Sequence, residues 1–218
     1  MNSTLLTPTS PEHDDPAAVI AQGSFFSRNS VMDPAALFQS VDVFLDLLQA
    51  RQVPHVLVGG LALMQYVPSR NTQDIDLIMS LPEAASLPGL EITDSNEKFA
   101  RAQFGPLQVD LLLTATPLFA HVAAHLSAPI NFRRHQIRVA TPEGLLLLKL
   151  YALPSLYRTN FIDRALLYET DIAMLLRVHD VPDEQLLANL QSHLMESDIN
   201  SLRRDVLVGI RQRIQRRF

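Results

Sequence analysis

The sequence predicts a mixed α/β (α+β) fold, in which a small mixed β-sheet is flanked by helices and followed by a helical C-terminal region. Short apolar or alternating segments typical of strands occur only within the first 140 residues, and from Asn160 onward apolar residues recur only at helical spacing. A hydrophobic content of 47% over 218 residues is ample for a core. We therefore expect a tail without fixed structure at 1–30, an α/β core at 31–140 and a helical region at 141–218.

The composition excludes several classes of protein. The chain has no cysteine, which rules out a disulfide scaffold, a thiolate metal site and a cysteine nucleophile. No apolar stretch is long enough to cross a bilayer, and the N-terminus lacks the basic start and hydrophobic block of a secretory signal. The net charge of -5 argues against a surface that coats nucleic acid non-specifically. We expect a cytoplasmic protein that has no membrane partner.

Helix and strand signals alternate through the first part of the core. MDPAALFQSVDVFLDLLQARQ predicts a helix that Asp33 can cap. VPHVLVGG predicts a short buried strand, and GLALMQYV predicts a helix that begins at Gly59 and Gly60. TQDIDLIM has strand periodicity, with Asp74 and Asp76 on one face and apolar residues on the other.

The remaining segments extend the sheet and then add helices. SLPEAASLPGL separates the acidic strand from KFARAQFGPLQVDLLL, which predicts two strands joined around Gly105 and Pro106. TPLFAHVAAHL predicts a helix, INFRRHQIRVAT an extended segment, and TPEGLLLLKLYAL an apolar helix capped by Thr141. Three further helices are predicted in FIDRALLYETDIAMLLRVH, DEQLLANLQSHLM and INSLRRDVLVGIRQRIQRR.

The two aspartates of the acidic strand predict a metal site. Side chains at positions i and i+2 of a strand point the same way, roughly 6.5–7 Å apart along it. Asp74 and Asp76 would repel each other unless a divalent cation such as Mg²⁺, which prefers hard oxygen ligands, compensates their charge. Asp110 in QVDLLL can add a third carboxylate from a neighbouring strand. Three such acids could hold one or two magnesium ions, about 3.5–4 Å apart.

The glycine pair predicts an anion site next to that metal site. A strand that ends in Gly59 and Gly60 and opens a helix offers free backbone N–H groups and the positive end of a helix dipole. Without Cβ atoms, the backbone lets a phosphate chain approach closely. The combination suits a metal-bound nucleoside triphosphate.

These residues resemble the signature of the nucleotidyltransferase superfamily, the polymerase-beta-like fold. Its pattern is a hydrophobic residue, Gly, then Gly or Ser, a variable spacer and Asp-hydrophobic-Asp-hydrophobic. Here VGG is followed, after thirteen residues, by DIDL. The run of Arg70 and Thr72 into the acidic strand is more similar to the minimal nucleotidyltransferases and the abortive-infection nucleotidyltransferase toxins. Lys149 and Asp171 match a later lysine and a final acid of that branch, although Leu167 and Tyr168 replace its usual Lys-Asp pair.

The resemblance implies a role for each matched residue. Asp74 and Asp76 would bind Mg²⁺, and Asp110 would bind the second metal or act as general base toward an acceptor hydroxyl. Gly60 stands where the family often has a serine, so the backbone alone would hold the triphosphate there. The implied catalytic residues are Asp74, Asp76, Asp110 and Lys149, and the implied nucleotide-binding residues are Gly59, Gly60, Arg70, Thr72 and Asp171. Arg70 and Lys149 are the candidates for neutralising phosphate charge.

The resemblance further implies transfer of a nucleoside monophosphate from an NTP such as ATP to tRNA or to a protein hydroxyl. Such an enzyme could be the toxin of a toxin–antitoxin or phage-defence system, with a cognate antitoxin as partner. One alternative is an antibiotic-modifying nucleotidyltransferase that acts on a small molecule. Another is a catalytically silent protein of the same fold that serves only as a binding module.

Simpler interpretations apply to the same residues. An alternating Asp-Ile-Asp stretch can be an ordinary strand with one solvated face, and Lys149 can extend along its helix to reach solvent. Asp171 can lie on a solvated helix face. The C-terminal arginines can complement a helix dipole, dock RNA phosphates, or flank an apolar stripe that packs on the body of the protein.

Overall fold

A computed structural model describes residues 34–68 and 74–216 of the chain. The expected tail at 1–30, the cap at Asp33 and the candidate nucleotide-binding residues Arg70 and Thr72 lie outside the described residues.

The described chain forms a sheet domain followed by helices. The first part comprises α1 (Pro34–Ala50), β1 (Val56–Val58), α2 (Gly59–Leu63), β2 (Asp74–Met79), α3 (Leu81–Ala85), β3 (Leu90–Ser95), β4 (Phe99–Phe104), β5 (Leu107–Leu113), α4 (Pro117–His125), β6 (Ser127–Phe132) and β7 (His135–Ala140). The second part comprises α5 (Pro142–Arg158), α6 (Ile162–Val178), α7 (Asp183–Leu190), α8 (Glu196–Ser201), a π-helical segment (Leu202–Leu207) and α9 (Val208–Gln215). None of the described helices has the length and apolar character needed to span a membrane.

The seven described strands form one mixed sheet in the order β3-β4-β5-β2-β1-β7-β6. The pairs β2–β5 and β1–β7 are parallel, and the other neighbouring pairs are antiparallel. This confirms the mixed α/β fold class with a helical C-terminal region. The order places β2, which carries the paired aspartates, between β1 and β5 near the middle of the sheet.

Strand β2 has the alternation that its sequence predicts. Ile75 and Leu77 are fully buried, whereas Asp74 and Asp76 point to the other face and keep part of their surface exposed. The register is fixed because a slip by one residue would bury the acids and expose the apolar residues.

Two parts of the sheet differ from the sequence prediction. LEITDS, for which the sequence predicts no strand, forms the edge strand β3, whose last three residues are exposed and polar. The single extended segment INFRRHQIRVAT is instead the hairpin of β6 and β7, which turns at Arg133 with a φ of 54°. Left-handed backbone at a hairpin turn is normally signalled by Gly, Asn or Asp, so an arginine there gave no signal.

Three of the C-terminal arginines pair with acids of the same chain. The ion pairs are Arg203–Glu184, Arg211–Asp183 and Arg213–Glu169, which connect the last helical segments to α6 and α7. Between these arginines, Val206, Leu207 and Ile210 are buried. These contacts favour packing of the C-terminal helix on the body of the protein over docking to RNA.

Gly59, where β1 passes into α2, is required by two features of the structure. Its φ is +63°, in the left-handed region that residues with a Cβ rarely adopt. A Cβ added there would lie 1.8 Å from Oδ2 and 2.3 Å from Cγ of Asp76, so the carboxylate occupies the space a larger side chain would need. The glycine therefore lets the acidic strand and the β1–α2 junction approach each other.

We expect Gly59→Ala to lower the free energy of unfolding by roughly 2–5 kcal/mol, through left-handed strain and overpacking against Asp76. Gly105→Ala is the matched control, because Gly105 has a φ of +55° but no atom within 4 Å of an added Cβ. The control should lose only about 1–2 kcal/mol from strain. Urea unfolding measures both variants, and equal losses would contradict the close contact between Gly59 and Asp76.

Candidate active site

The sheet register brings the three candidate carboxylates to one region. Asp76 lies directly opposite Asp110 on the parallel strands β2 and β5, and Asp74 lies two residues before Asp76 on the same face. Val58, the last residue of β1, lies opposite Asp76 on the other side of β2. Asp76 therefore stands between the third carboxylate and the glycine pair.

The electrostatics of Asp76 show that negative charge accumulates at this place. Protein atoms surround its carboxyl closely, and burial is the main cause that raises its pKa to about 7. The charges of Asp74 and Asp110 raise this pKa further, whereas Arg164 and Lys149 oppose the rise. Burial and the two neighbouring acids therefore outweigh the two cations and favour the neutral form of Asp76, whereas a bound cation would favour the carboxylate.

Asp110 is held by neighbours on its own part of the sheet. It is 4% exposed, and its carboxylate accepts hydrogen bonds from Nε and Nη2 of Arg101, at 2.9 and 3.3 Å, and from Gln108 at 3.2 Å. Arg101 lies on β4, so it approaches from the side of β5 opposite to Asp76. In the described parts of the chain, no three His, Asp or Glu side chains are gathered as a ready metal site.

Lys149 and Asp171 form a buried ion pair between α5 and α6. The lysine Nζ lies 2.8 Å from Oδ2 of Asp171, and the two residues are 6% and 1% exposed. The Nζ also lies 4.4 Å from the centroid of the Tyr168 ring. Lys149 does not extend to solvent, and Asp171 does not lie on a solvated face, so the simpler interpretations of both residues are wrong.

Arg164 is a candidate that the sequence interpretation missed. It lies on α6 one turn before Tyr168, whose hydroxyl is 3.5 Å from its Nη2. Its Nε is buried, and within the described residues this nitrogen has no hydrogen-bond partner. The Tyr168 hydroxyl is the main cause that raises the pKa of Arg164, with contributions from Asp76 and Asp74. The helical spacing of Arg164, Tyr168 and Asp171, which places them on one face, was the available signal.

The glycine pair, where the sequence predicts an anion site, opens a short helix. Helix α2 begins at Gly59 as predicted, but it has only five residues, and Gly60 is buried in its first turn. Such a short helix has a small dipole, so it contributes little to anion binding. Nucleotide binding at Gly59 and Gly60 stays a prediction.

A cavity of about 520 Å³, part of which is open to solvent, adjoins these groups. Gly59, Asp76, Lys149 and Tyr168 supply its polar lining. Its remaining wall is apolar and includes Phe99, Leu112, Phe119, Leu148, Tyr151 and Ala152.

Sequence comparison matches the chain to no family model and to no curated protein. Comparison of structures gives an antigenic nucleotidyltransferase-like protein from Paracoccidioides brasiliensis, with a TM-score of 0.55 and 15% identity over 82% of this chain and 93% of that chain. A second structure is ANT(2″)-Ia in complex with adenylyl-2″-tobramycin, with a TM-score of 0.48 and 14% identity over 71% of this chain and 96% of that chain. The chain has the nucleotidyltransferase fold.

Proposed function

We propose that the protein is a Mg²⁺-dependent nucleotidyltransferase, which moves a nucleoside monophosphate from an NTP to an acceptor hydroxyl. The observation that carries this proposal is the placement of Asp74, Asp76 and Asp110 on one sheet face, with Asp76 against Gly59. The fold supports the same function. Two buried or partly buried cations, Arg164 and Lys149, complete the site.

The residues fit a hard divalent cation. Asp74 and Asp76 supply carboxylate oxygens, which Mg²⁺ prefers. Burial, together with the charges of Asp74 and Asp110, raises the pKa of Asp76, and a bound cation would restore its ionised form. When bound, the metal would neutralise charge on the phosphates of the NTP and on the leaving pyrophosphate. Asp110 would be a further ligand only through the part of its carboxylate that Arg101 and Gln108 leave open.

Arg164 is the stronger of the two candidates for binding phosphate oxygens. One donor of Lys149 is committed to Asp171, and its charge is shared with that carboxylate. Arg164 has the buried Nε described above and lies close enough to Asp76 and Asp74 to influence their charge. A guanidinium also matches the geometry of phosphate better than an ammonium. Lys149 would then mainly hold α5 and α6 together beside the site.

Asp110 would accept the proton from the acceptor. The hydroxyl oxygen attacks the α-phosphorus and forms a new P–O bond, while the bond from this phosphorus to the bridging oxygen of the β-phosphate breaks. Pyrophosphate leaves with the electron pair, and the acceptor proton passes to the Asp110 carboxylate. Arg101 would fix the orientation of that carboxylate during the step.

The proposal also names a donor, an acceptor, a partner and a cellular location. ATP as the donor, tRNA or a protein hydroxyl as the acceptor, a cognate antitoxin and a cytoplasmic location all follow from the resemblance of the motifs. The partly enclosed cavity beside Asp76 favours the alternative of a small-molecule acceptor. The ion pair of Arg101 with Asp110 is also compatible with the second alternative, a catalytically silent protein of this fold.

Asp76→Asn should abolish transfer, because it removes a carboxylate charge at the centre of the site. The measurement is incorporation of radioactive phosphate from α-labelled ATP and the other NTPs, with Mg²⁺, into total RNA, protein and small molecules of a cell extract. Asp94→Asn, on the exposed part of β3, is the matched control and should label like the wild type. Equal incorporation of label by Asp76→Asn and the wild type would contradict the proposed function.

Arg164→Gln should weaken binding of Mg·ATP about 10- to 100-fold, because one charge-assisted hydrogen bond contributes roughly 1.5–3 kcal/mol. Arg177→Gln is the control, since Arg177 is exposed on the same helix. Isothermal titration calorimetry measures both dissociation constants, and Arg164→Lys should keep part of the affinity. An unchanged dissociation constant for Arg164→Gln would show that this arginine does not contact phosphate.

Arg101→Met should lower the free energy of unfolding by about 1–3 kcal/mol, because buried Asp110 loses its charged partner. Saturating Mg²⁺ should stabilise this variant more than the wild type, since the freed carboxylate can join the metal site. Arg134→Met is the control, because its ion pair with Asp46 lies at the surface and contributes little. Urea unfolding with and without Mg²⁺ is the measurement, and an identical Mg²⁺ effect in all three proteins would exclude Asp110 as a ligand.

A further inference from the structure

We infer that the apolar part of the cavity binds the acceptor, and that this acceptor is a small, uncharged molecule carrying an aromatic hydroxyl. The inference rests on the nucleotidyltransferase function proposed above and names the substrate class of the same site. Three observations carry it: the aromatic character of the wall, the absence of charge along it, and its position relative to Asp76.

The wall of the cavity is built from rings that contact one another. The centroids of Phe99 and Phe119 lie 5.3 Å apart, and Phe119 meets Tyr151 edge-on, at 5.9 Å and 88°. Lys98 donates a hydrogen bond of 3.2 Å to the Tyr151 hydroxyl, which fixes this ring at the rim. An aromatic wall of this kind gains most by covering another planar apolar ring.

The charge of the lining excludes highly charged acceptors. Among the residues that line the cavity, Asp76 is the one acid and Lys149 the one base, and both belong to its polar lining. A polycationic aminoglycoside would need several acids along the wall, and a nucleic acid would need free cations. Among the described residues, Phe99, Leu112 and Phe119 have no acid beside them, and the one cation at this wall is Lys98, on the Tyr151 hydroxyl. A polycation or a nucleic acid placed there would lose hydration without enough charged partners.

The position of the apolar wall assigns it to the acceptor instead of the nucleobase. Phe99 and Leu112 lie on β4 and β5, on one side of β2, whereas Gly59 follows β1 on the other side. In-line transfer requires the attacking oxygen and the leaving pyrophosphate on opposite sides of the α-phosphorus. With that phosphorus at Asp76 and the proposed base Asp110 opposite it on β5, the attacking hydroxyl comes from the side of β5.

The reaction balances with an NTP as the co-substrate. The aromatic hydroxyl oxygen forms a bond to the α-phosphorus, the bond between this phosphorus and the pyrophosphate oxygen breaks, and the hydroxyl proton goes to Asp110. The products are an aryl ester of the nucleoside monophosphate and pyrophosphate. Nothing is oxidised or reduced.

The test uses the full-length protein and the fluorescent probe 2-naphthol, titrated with and without saturating Mg·ATP. We expect binding of similar affinity in both titrations, no displacement by the polycation tobramycin, and formation of adenylyl-naphthol detected by mass spectrometry. Displacement of naphthol by Mg·ATP would assign the cavity to the nucleobase and overturn the inference. Absence of naphthol binding, or transfer to total tRNA or protein in place of naphthol, would overturn it as well.

Two variants test the location of the probe. Ala152→Leu fills the cavity and should raise the dissociation constant of naphthol at least tenfold, while leaving that of Mg·ATP unchanged. Ala123→Leu is the matched control, because Ala123 is a partly buried helical alanine outside the lining, and it should bind naphthol normally. Equal affinity of both variants for naphthol would place the probe elsewhere and overturn the inference. If Ala152→Leu does not fold, the competition between naphthol and Mg·ATP on the wild type still tests the inference.

The two proposals fail in different ways. A protein that binds Mg·ATP but not naphthol loses only the inference about the acceptor. A protein that binds naphthol but neither binds Mg·ATP nor incorporates label loses the proposed function, on which the inference rests.

Discussion

Electrostatic repulsion among the carboxylates of Asp74, Asp76 and Asp110 is the constraint on which the rest of the site depends. The apolar alternation of β2 and β5 fixes a register in which Asp76 and Asp110 lie opposite each other, so the sheet cannot form without bringing negative charge together. Arg101 on β4 offsets part of this negative charge, and Arg164 and Lys149 on the helices offset another part. A sheet selected for stability alone would place apolar or oppositely charged pairs at these positions. The proposed metal site would account for this destabilising arrangement of charges.

Gly59 connects this electrostatic feature to the fold. Because Asp76 occupies the space of a missing Cβ, the backbone between β1 and α2 lies against the carboxylate itself. Any ligand held at Asp76 must therefore also meet the β1–α2 junction. The glycine contributes this proximity more than it contributes a helix dipole, since α2 is only five residues long. The contact explains why a glycine is needed beside the acidic strand, where the backbone is left-handed and there is no space for a side chain.

The sequence was sufficient for the parts of the fold and site that depend on local pattern. Alternation predicted β2 and the shared face of its aspartates, and helical periodicity predicted the C-terminal helices. Apart from the approach of Asp110 to the acidic strand, contacts between distant segments were not predicted. Arg101 meets Asp110 only through the β4–β5 register, and Arg164 approaches Asp76 only once α5 and α6 have packed beside the sheet. The turn at Arg133 was missed because its left-handed residue is not one that usually signals a turn.

The hydrogen bonds of Asp110 narrow the choice between its two implied roles. An ionised carboxylate has about four lone-pair sites. Arg101 uses two of them and Gln108 a third, so roughly one remains for a further contact. Both donors come from β4 and from Asp110's own strand, which leaves the direction of Asp76 for that contact. In the proposed function, Asp110 would therefore bind a metal or accept the acceptor's proton, but not both while Arg101 stays in place. We infer that Asp74 and Asp76 would hold a single metal and that Asp110 would act as the base.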